Sequence, residues 1–356
     1  MAPSPRPRRL RLMLELGAIA ELEPALREEG FFGREGVVAR LYLGYRCSER
    51  LRRSGRPAPP EPCPLPAVAV SIEPEGAHPP RGGPFTIGRW RRSWSDEGYA
   101  AAIEAVRAAI AEGDVYQANL VQHLWAEFAG DPYGLAERLR PLRPLQPRPL
   151  VAESWAVVSA SPELFLSRRG RRVRTRPIKG TRPAGVSVDS EKDAAEHVMI
   201  VDLERNDLSR VCEPGSVRWP ELLVERPLAG VTHLVSTVEG TLRPEATLTD
   251  LLEATFPGGS VTGAPKVAAL DLIAALEPVG RGASMGALGV LRPNGDLDLA
   301  LTIRTFAIAD GRIHLWVGGG IVSDSDAAAE IEESWVKARP LLAAIGASLP
   351  EPAAAA

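Results

Sequence analysis

Between Ser95 and Gly113 the apolar residues Tyr99, Ile103, Val106 and Ile110 recur three or four positions apart. That period predicts a helix, with Ser95 as its N-cap and Gly113 as its stop. Asn119 to Trp125 alternates with period two, and shorter apolar segments from Trp155 to Leu166 read as further strands. From Asp298 to Ile308 the residues Leu299, Leu301 and Ile303 alternate with Asp298, Thr302 and Arg304, which predicts one strand with Arg304 on its polar face. Asp310-Gly311 then signals a two-residue hairpin into Ile313, Leu315 and Val317. A tight turn there pairs residues whose numbers sum to about 621 and sets Arg304 beside Val317 and Gly318.

A guanidinium at the start of Gly318-Gly319-Gly320, where bare N–H groups can approach a ligand, makes a carboxylate clamp. A surface Arg beside a flexible glycine loop is the alternative. The next helix, about Ser325 to Leu342, turns Ile331, Trp335, Ala338 and Leu342 inward and places Glu330, Glu333 and Lys337 on another stripe. Those carboxylates are either a solvated face with an ion pair to Lys337 or half of a Mg²⁺ site, and spacing alone favours the first. Pro265, followed by Val267, Leu270 and Ile273, opens another helix. Gly258 to Lys266 superficially matches a phosphate loop, but Ala264-Pro265 stands where Gly-Lys-Ser/Thr is needed, so a nucleoside triphosphatase is rejected. Residues 52 to 84, crowded with Pro, Gly and Arg, read as loops and irregular edge.

Composition narrows the class. At 356 residues and 45% hydrophobic, the chain can bury the core of one large domain or two ordinary ones. A net charge of −3 gives no overall field for nucleic acid or membrane. Cys47, Cys63 and Cys212 are odd in number and lack CxxC spacing, which argues against a disulfide framework or a zinc site and fits a reducing cytoplasm. The basic stretch Arg6 to Arg11 is followed by charge-interrupted sequence, so neither a signal peptide nor a membrane span is expected.

Four lysines stand against 38 arginines, and one of them, Lys179, lies within Arg176-Pro177-Ile178-Lys179-Gly180-Thr181. An amine can shed its proton where a guanidinium cannot, which makes Lys179 a candidate covalent nucleophile. Read in isolation it is one solvated charge in the basic run Arg168 to Arg182, a run that also raises a nucleic-acid-binding alternative with steep salt dependence.

The stretch RTRPIKGTRPAG resembles the chorismate-utilising enzymes, in the version found in aminodeoxychorismate synthase component I; anthranilate synthases resemble it closely but have Ala at the Lys position. The resemblance runs from about Trp94 to Leu342 through GDVYQANL, SPELFL, AEHVMIVDLERNDLSRV, THLVSTVEG, FPGGSVTGAPK, LTIRTF and GGGIVSDSDAAAEIEES. It implies an α+β fold of the anthranilate synthase component I type, two orthogonally packed, largely antiparallel sheets with helices outside. It also implies a shortened N-terminal portion over 1–94 and a catalytic domain over 95–346; the tail over 347–356 reads as disordered from its own composition.

Position by position, the resemblance implies that Glu196 and Glu333 hold Mg²⁺, with Glu330 and Asp193 close by. Arg304, the Gly318 N–H and Lys337 would receive the enolpyruvyl carboxylate. Gly180, Thr262 and Gln117 join them in the substrate site. Glu163 would act as general acid/base at the C4 hydroxyl, and His233 would stand near the reacting ring. Gln117, where water-adding relatives have a Lys base, disfavours water as nucleophile. Lys179 would attack C2 as the C4 hydroxyl leaves with a proton from Glu163, and ammonia would then add at C4 and expel Lys179, giving 4-amino-4-deoxychorismate.

No glutaminase segment is seen, so the implied partners are a separate glutamine amidotransferase subunit and a downstream lyase that releases p-aminobenzoate for folate synthesis. Ser284 replaces a usual aromatic in Arg281-Gly282-Ala283-Ser284-Met285-Gly286-Ala287, a departure that bears on the pocket. The competing readings are anthranilate synthase component I and a catalytically idle chorismate-binding subunit.

Overall fold

The computed structural model describes residues 12–183, 191–228 and 231–350. Two antiparallel sheets carry the chain. In the ten-stranded sheet the order is Leu12–Leu16, Val68–Pro74, Val37–Leu43, Ala287–Leu291, Leu297–Leu301, Leu164–Arg169, Arg172–Arg176, Val231–Thr241 and Ile178–Pro183, with Arg218–Leu228 also paired to Val231–Thr241. In the eight-stranded sheet Gly263–Ala264, Gln117–Gly130, Arg312–Ile321, Thr305–Ala309, Trp155–Ser159 and Leu150–Val151 follow one another, and Phe85–Ile87 and Arg91–Arg92 pair with Gln117–Gly130.

The largest core joins Tyr42, Leu166, Leu288 and Leu299 of the first sheet to Val121, Trp155, Val157 and Trp316 of the second, so the sheets stack face to face. Leu135 and Leu139 of helix Pro132–Leu139 and Trp335, Ala338 and Leu342 of helix Ala327–Ala344 cover the outer face of the second sheet. Helices Leu22–Glu28, Glu191–Ser209 and Leu248–Thr255 contribute Leu26, Leu208 and Leu252 to the other layer. The result is the α+β fold with helices outside.

Several local readings hold for stated reasons. Helix Asp96–Glu112 starts where the Ser95 hydroxyl accepts from the Gly98 N–H and stops at Gly113, whose φ is +86°. The hairpin pairs Phe306 with Leu315 and Ala309 with Arg312, the register given by the turn. Asp310 and Gly311 both take positive φ, +49° and +68°, as a type I′ turn requires. Helix Lys266–Leu276 begins directly after Pro265.

Two readings are corrected. Asp298 to Ile308 is not one strand: Leu297–Leu301 belongs to the first sheet and Thr305–Ala309 to the second, and the chain crosses between them at Arg304, whose φ is +49°. Arg304 therefore stands outside the hairpin ladder, which begins at Phe306. Residues 52–84 are not all loop, because Val68–Pro74 is a buried strand between Leu12–Leu16 and Val37–Leu43. The first three strands of the chain thus complete the ten-stranded sheet. The segments Arg6 to Arg11 and 351–356 lie outside the described residues.

Candidate active site

Pro177 has no N–H to give, and it separates strand Arg172–Arg176 from Ile178–Pro183 along the same edge of Val231–Thr241. Ile178 stands opposite Val235 and Lys179 opposite Leu234, after which the register slips before Arg182. Gly180 sits in the slip with φ +59°, a conformation that costs glycine little. Its carbonyl lies 3.0 Å from His233 Nδ1. A carbonyl only accepts, so Nδ1 carries the hydrogen and the neutral imidazole keeps its lone pair on Nε2. Burial pulls His233 below its ordinary pKa, the Gly180 bond opposes this, and the Arg304 charge adds to it.

Opposite the lysine strand runs Arg312–Ile321, whose glycines leave bare backbone. A methyl built on Gly320 would stand 2.0 Å from Gln117 Nε2 and 3.4 Å from Lys179 Nζ. One built on Gly319 would meet Glu330 Oε2 at 3.3 Å, Lys337 Nζ at 3.4 Å and Glu333 Oε1 at 3.5 Å. Lys179 and Gln117 thus meet Gly320, and Glu330, Glu333 and Lys337 meet its strand neighbour Gly319. Lys337 also donates to the Gly318 carbonyl at 2.7 Å and pairs with Glu333 at 2.8 Å. Glu330 Oε1 accepts from the Ser325 hydroxyl at 2.6 Å.

Glu163 joins the lysine side of this arrangement. Burial raises its pKa above the ordinary carboxyl value, while the Ser260 hydroxyl at 2.7 Å, the Lys179 and Arg304 charges and the Ile178 N–H all pull the other way. Arg304 reaches both Glu163 and His233 electrostatically, and burial lowers its own pKa. The crossing between sheets, rather than a strand face, gives Arg304 this position.

The structure thus assembles Lys179, Gln117, Glu163, Gly180, His233 and Arg304. Thr262 is near Gln117 through the pairing of Ala264 with Gln117, but its hydroxyl is spent on the Gly258 carbonyl at 2.7 Å. Glu196 is half-buried on helix Glu191–Ser209, and the side chain of Asp193 lies outside the described ones. Among the described residues no three His, Cys, Asp or Glu side chains are grouped to hold a metal. Ser284 is buried in the turn before Ala287–Leu291, and its hydroxyl has no hydrogen-bond partner among the described residues.

Two further groups went unread in the sequence. His197 is fully buried with neither ring nitrogen hydrogen-bonded among the described residues, and burial with the Lys179 charge lowers its pKa to about 4. Glu204, also buried, is raised to about 8 by burial first and by the Glu163 charge next. Both share a helix face with Ile200, Val201 and Leu208, and that spacing was the available signal.

Residues 56–343 match the model of the chorismate binding enzyme family. The chain belongs to that family. Among chorismate-binding enzymes it is 43% identical over 274 residues to the aminodeoxychorismate synthase component 1 of Klebsiella aerogenes, an overlap covering 72% of this chain and 60% of that one. It is 42% identical over 272 residues to the anthranilate synthase component 1 of Thermus thermophilus, covering 72% and 58%. The chain thus spans about three fifths of the length of these relatives. The crystal structure of anthranilate synthase component I from Streptococcus pneumoniae superposes with a TM-score of 0.78 at 26% identity, covering 96% of this chain and 94% of that one. The menaquinone-specific isochorismate synthase of Escherichia coli, at 19% identity and a TM-score of 0.71, shares the fold. No described helix is long and apolar enough to cross a membrane.

Proposed function

We propose that this chorismate-binding chain converts chorismate and ammonia to 4-amino-4-deoxychorismate in the cytoplasm, as component I of an aminodeoxychorismate synthase. The observation that carries the reading is the Lys179 amine held over the bare backbone of Gly320, with the charges of Glu163 and Arg304 bearing on one another beside it. Names of relatives alone do not separate amination at C4 from anthranilate formation, since both kinds match at nearly equal identity.

Lys179, as the free amine, attacks C2 of the ring while the C4–O bond breaks, and Glu163 gives its proton to the departing hydroxyl, which leaves as water. Ammonia then forms the C4–N bond as the C2–N bond to Lys179 breaks, and the proton shed by the entering nitrogen restores Glu163. His233, with its lone pair on Nε2, accepts a hydrogen bond near the ring. Arg304 and Lys337 receive the substrate carboxylates. Glu196, Glu330 and Glu333 offer the hard oxygen donors that suit Mg²⁺, and the ion would neutralise a substrate carboxylate when bound. A glutamine amidotransferase subunit supplies the ammonia, and a lyase consumes the product on the way to p-aminobenzoate and folate.

The test is incubation of purified protein with chorismate, Mg²⁺ and an ammonium salt at high pH, for wild type and Lys179→Ala, with products identified by mass and by conversion with an added lyase. Aminodeoxychorismate from wild type, sharply reduced or replaced by anthranilate in the variant, is the expected result. Anthranilate from wild type would move the assignment to anthranilate synthase component I; binding without consumption would make the chain an idle chorismate-binding subunit.

A further inference from the structure

A cavity of about 120 Å³ opens between the 3₁₀ helix Tyr45–Leu51, the segment around Pro59 and helix Lys266–Leu276, and none of its lining residues belongs to the Lys179 site. Pro59, Leu270 and Ala274 give it an apolar wall. The buried Tyr45 ring lies at its inner end, with the Arg281 guanidinium 4.6 Å from the ring centre. Arg46 stands exposed at the open end.

The polar groups around this cavity are unequally engaged. Arg281 is spent on Glu277 at 2.8 Å and on the carbonyls of Val261 and Asn119. Arg52 pairs with Glu49 at 2.6 Å, and Glu61 accepts the Gly282 N–H at 2.9 Å. Arg46, by contrast, has no ion pair or side-chain hydrogen bond among the described residues. Ser48 follows Tyr45 by one 3₁₀ turn and so shares its face. Both hydroxyls are buried, and neither is hydrogen-bonded among the described residues. From mouth to floor the cavity thus offers a cation, an apolar wall and two hydroxyls in want of partners.

We propose that this cavity is a second binding site, for a benzoate with a para amino group, separate from the site of Lys179. An enclosed apolar cavity of about 150 Å³ takes a benzene ring, so about 120 Å³ with an open mouth suits one ring and not a fused pair. The carboxylate meets the Arg46 guanidinium at the mouth, where the charge stays partly hydrated. The ring lies on Pro59, Leu270 and Ala274. The para amino group reaches the floor and brings two N–H donors to the two hydroxyl oxygens of Tyr45 and Ser48. Benzoate lacks those donors, and an α-amino acid carries both of its charges at one end. The site rests on the cavity's own walls, whatever reaction Lys179 performs. That p-aminobenzoate also lies downstream of this enzyme, so that the site senses its accumulation, rests on the proposed function.

The experiment is calorimetric titration of wild type, Arg46→Gln and Tyr45→Phe with p-aminobenzoate, benzoate and L-phenylalanine, in the absence of ammonia and with or without saturating chorismate and Mg²⁺. Arg46 is exposed and the Tyr45 hydroxyl has no partner to lose, so both variants should fold as wild type does. Wild type should bind one p-aminobenzoate per chain, about fivefold more tightly than benzoate, and chorismate should not displace it. Arg46→Gln should weaken that binding about tenfold, and Tyr45→Phe about fivefold, erasing most of the lead over benzoate. Displacement by chorismate would place the ligand in the Lys179 site and overturn the proposal. Wild-type affinity in both variants, no preference over benzoate or L-phenylalanine, or no heat of binding at millimolar ligand would each do the same. Binding as expected in a protein that makes no aminodeoxychorismate supports the second site and overturns only the assigned reaction.

Discussion

Gly320 is the position where a single methyl distinguishes the proposed site from an ordinary sheet edge. Its built Cβ stands 2.0 Å from Gln117 Nε2 and 3.0 Å from Gln117 Cδ, well inside contact, and 3.4 Å from Lys179 Nζ, at ordinary contact. In Gly320→Ala the side chain of Gln117 must therefore move by more than an ångström, whereas Lys179 is merely touched. Gln117 is fully buried, and neither amide atom is hydrogen-bonded among the described residues, so the resistance is steric. Forcing one methylene's worth of volume into such a place costs about 1–3 kcal/mol. Displacing groups around the reacting centre by about 1 Å costs about a hundredfold in rate.

The expected outcome is a melting temperature lower by a few degrees and a kcat/KM for chorismate lower by about a hundredfold, both measured on the same preparation. Gly319→Ala is the internal control. Its methyl meets the far ends of Glu330, Lys337 and Glu333 at 3.3–3.5 Å, and these flexible ends can give way. That variant should melt within about a degree of wild type and lose activity mainly through KM. Wild-type kcat/KM in folded Gly320→Ala would refute the placement of the reaction over this strand.

Two stability predictions follow from buried charge. Glu204 is raised in the folded chain, so its stabilising contribution is fully present below the ordinary carboxyl range and is lost as pH rises through about 8. Glu204→Gln should therefore melt above wild type near pH 9 and close to it near pH 4, with a ceiling of roughly 5 kcal/mol at about 1.36 kcal/mol per pH unit; equal shifts at both pH values would contradict this. Arg281 donates to Glu277 at 2.8 Å and to the carbonyls of Val261 and Asn119, and its guanidinium lies 4.6 Å from the Tyr45 ring. Arg281→Met leaves Glu277 buried without that partner and should cost about 3–5 kcal/mol in urea unfolding, part of which Arg281→Met/Glu277→Gln recovers.

Much of the fold was legible because its punctuation is local. Ser95 and Gly113 bound a helix, and Asp310-Gly311 set a hairpin register, whatever lies around them. Strand Val68–Pro74 was not legible, since prolines and glycines on both sides masked a fully buried run that its two neighbouring strands now explain. In the site, the scarcity of lysine singled out Lys179 and helical spacing the acidic stripe, the resemblance gave both their roles, and no period could have supplied their meeting at Gly319 and Gly320. His197 and Glu204 escaped because polar residues on a helix read by default as a solvated face, and only the three-dimensional layer beneath Lys179 shows them buried.

Arg304 ties that lesson to the chemistry. The alternation of Leu299, Leu301 and Ile303 runs straight through the point where the chain leaves one sheet for the other, because all three pack into the one core that both sheets share and so keep the pattern of a strand. What marks the crossing is the positive φ of a residue with a side chain, a conformation that costs an L-residue roughly 1 kcal/mol or more. A glycine at 304 would relieve that cost but carry no guanidinium. Here the backbone carbonyl of Arg304 is held by the Ala160 N–H at 2.9 Å, which fixes the turn, and the side chain lies within electrostatic reach of Glu163 and His233. The charge proposed to receive an anionic substrate is thus placed by the same backbone turn that joins the two sheets, so the site forms only when both sheets have.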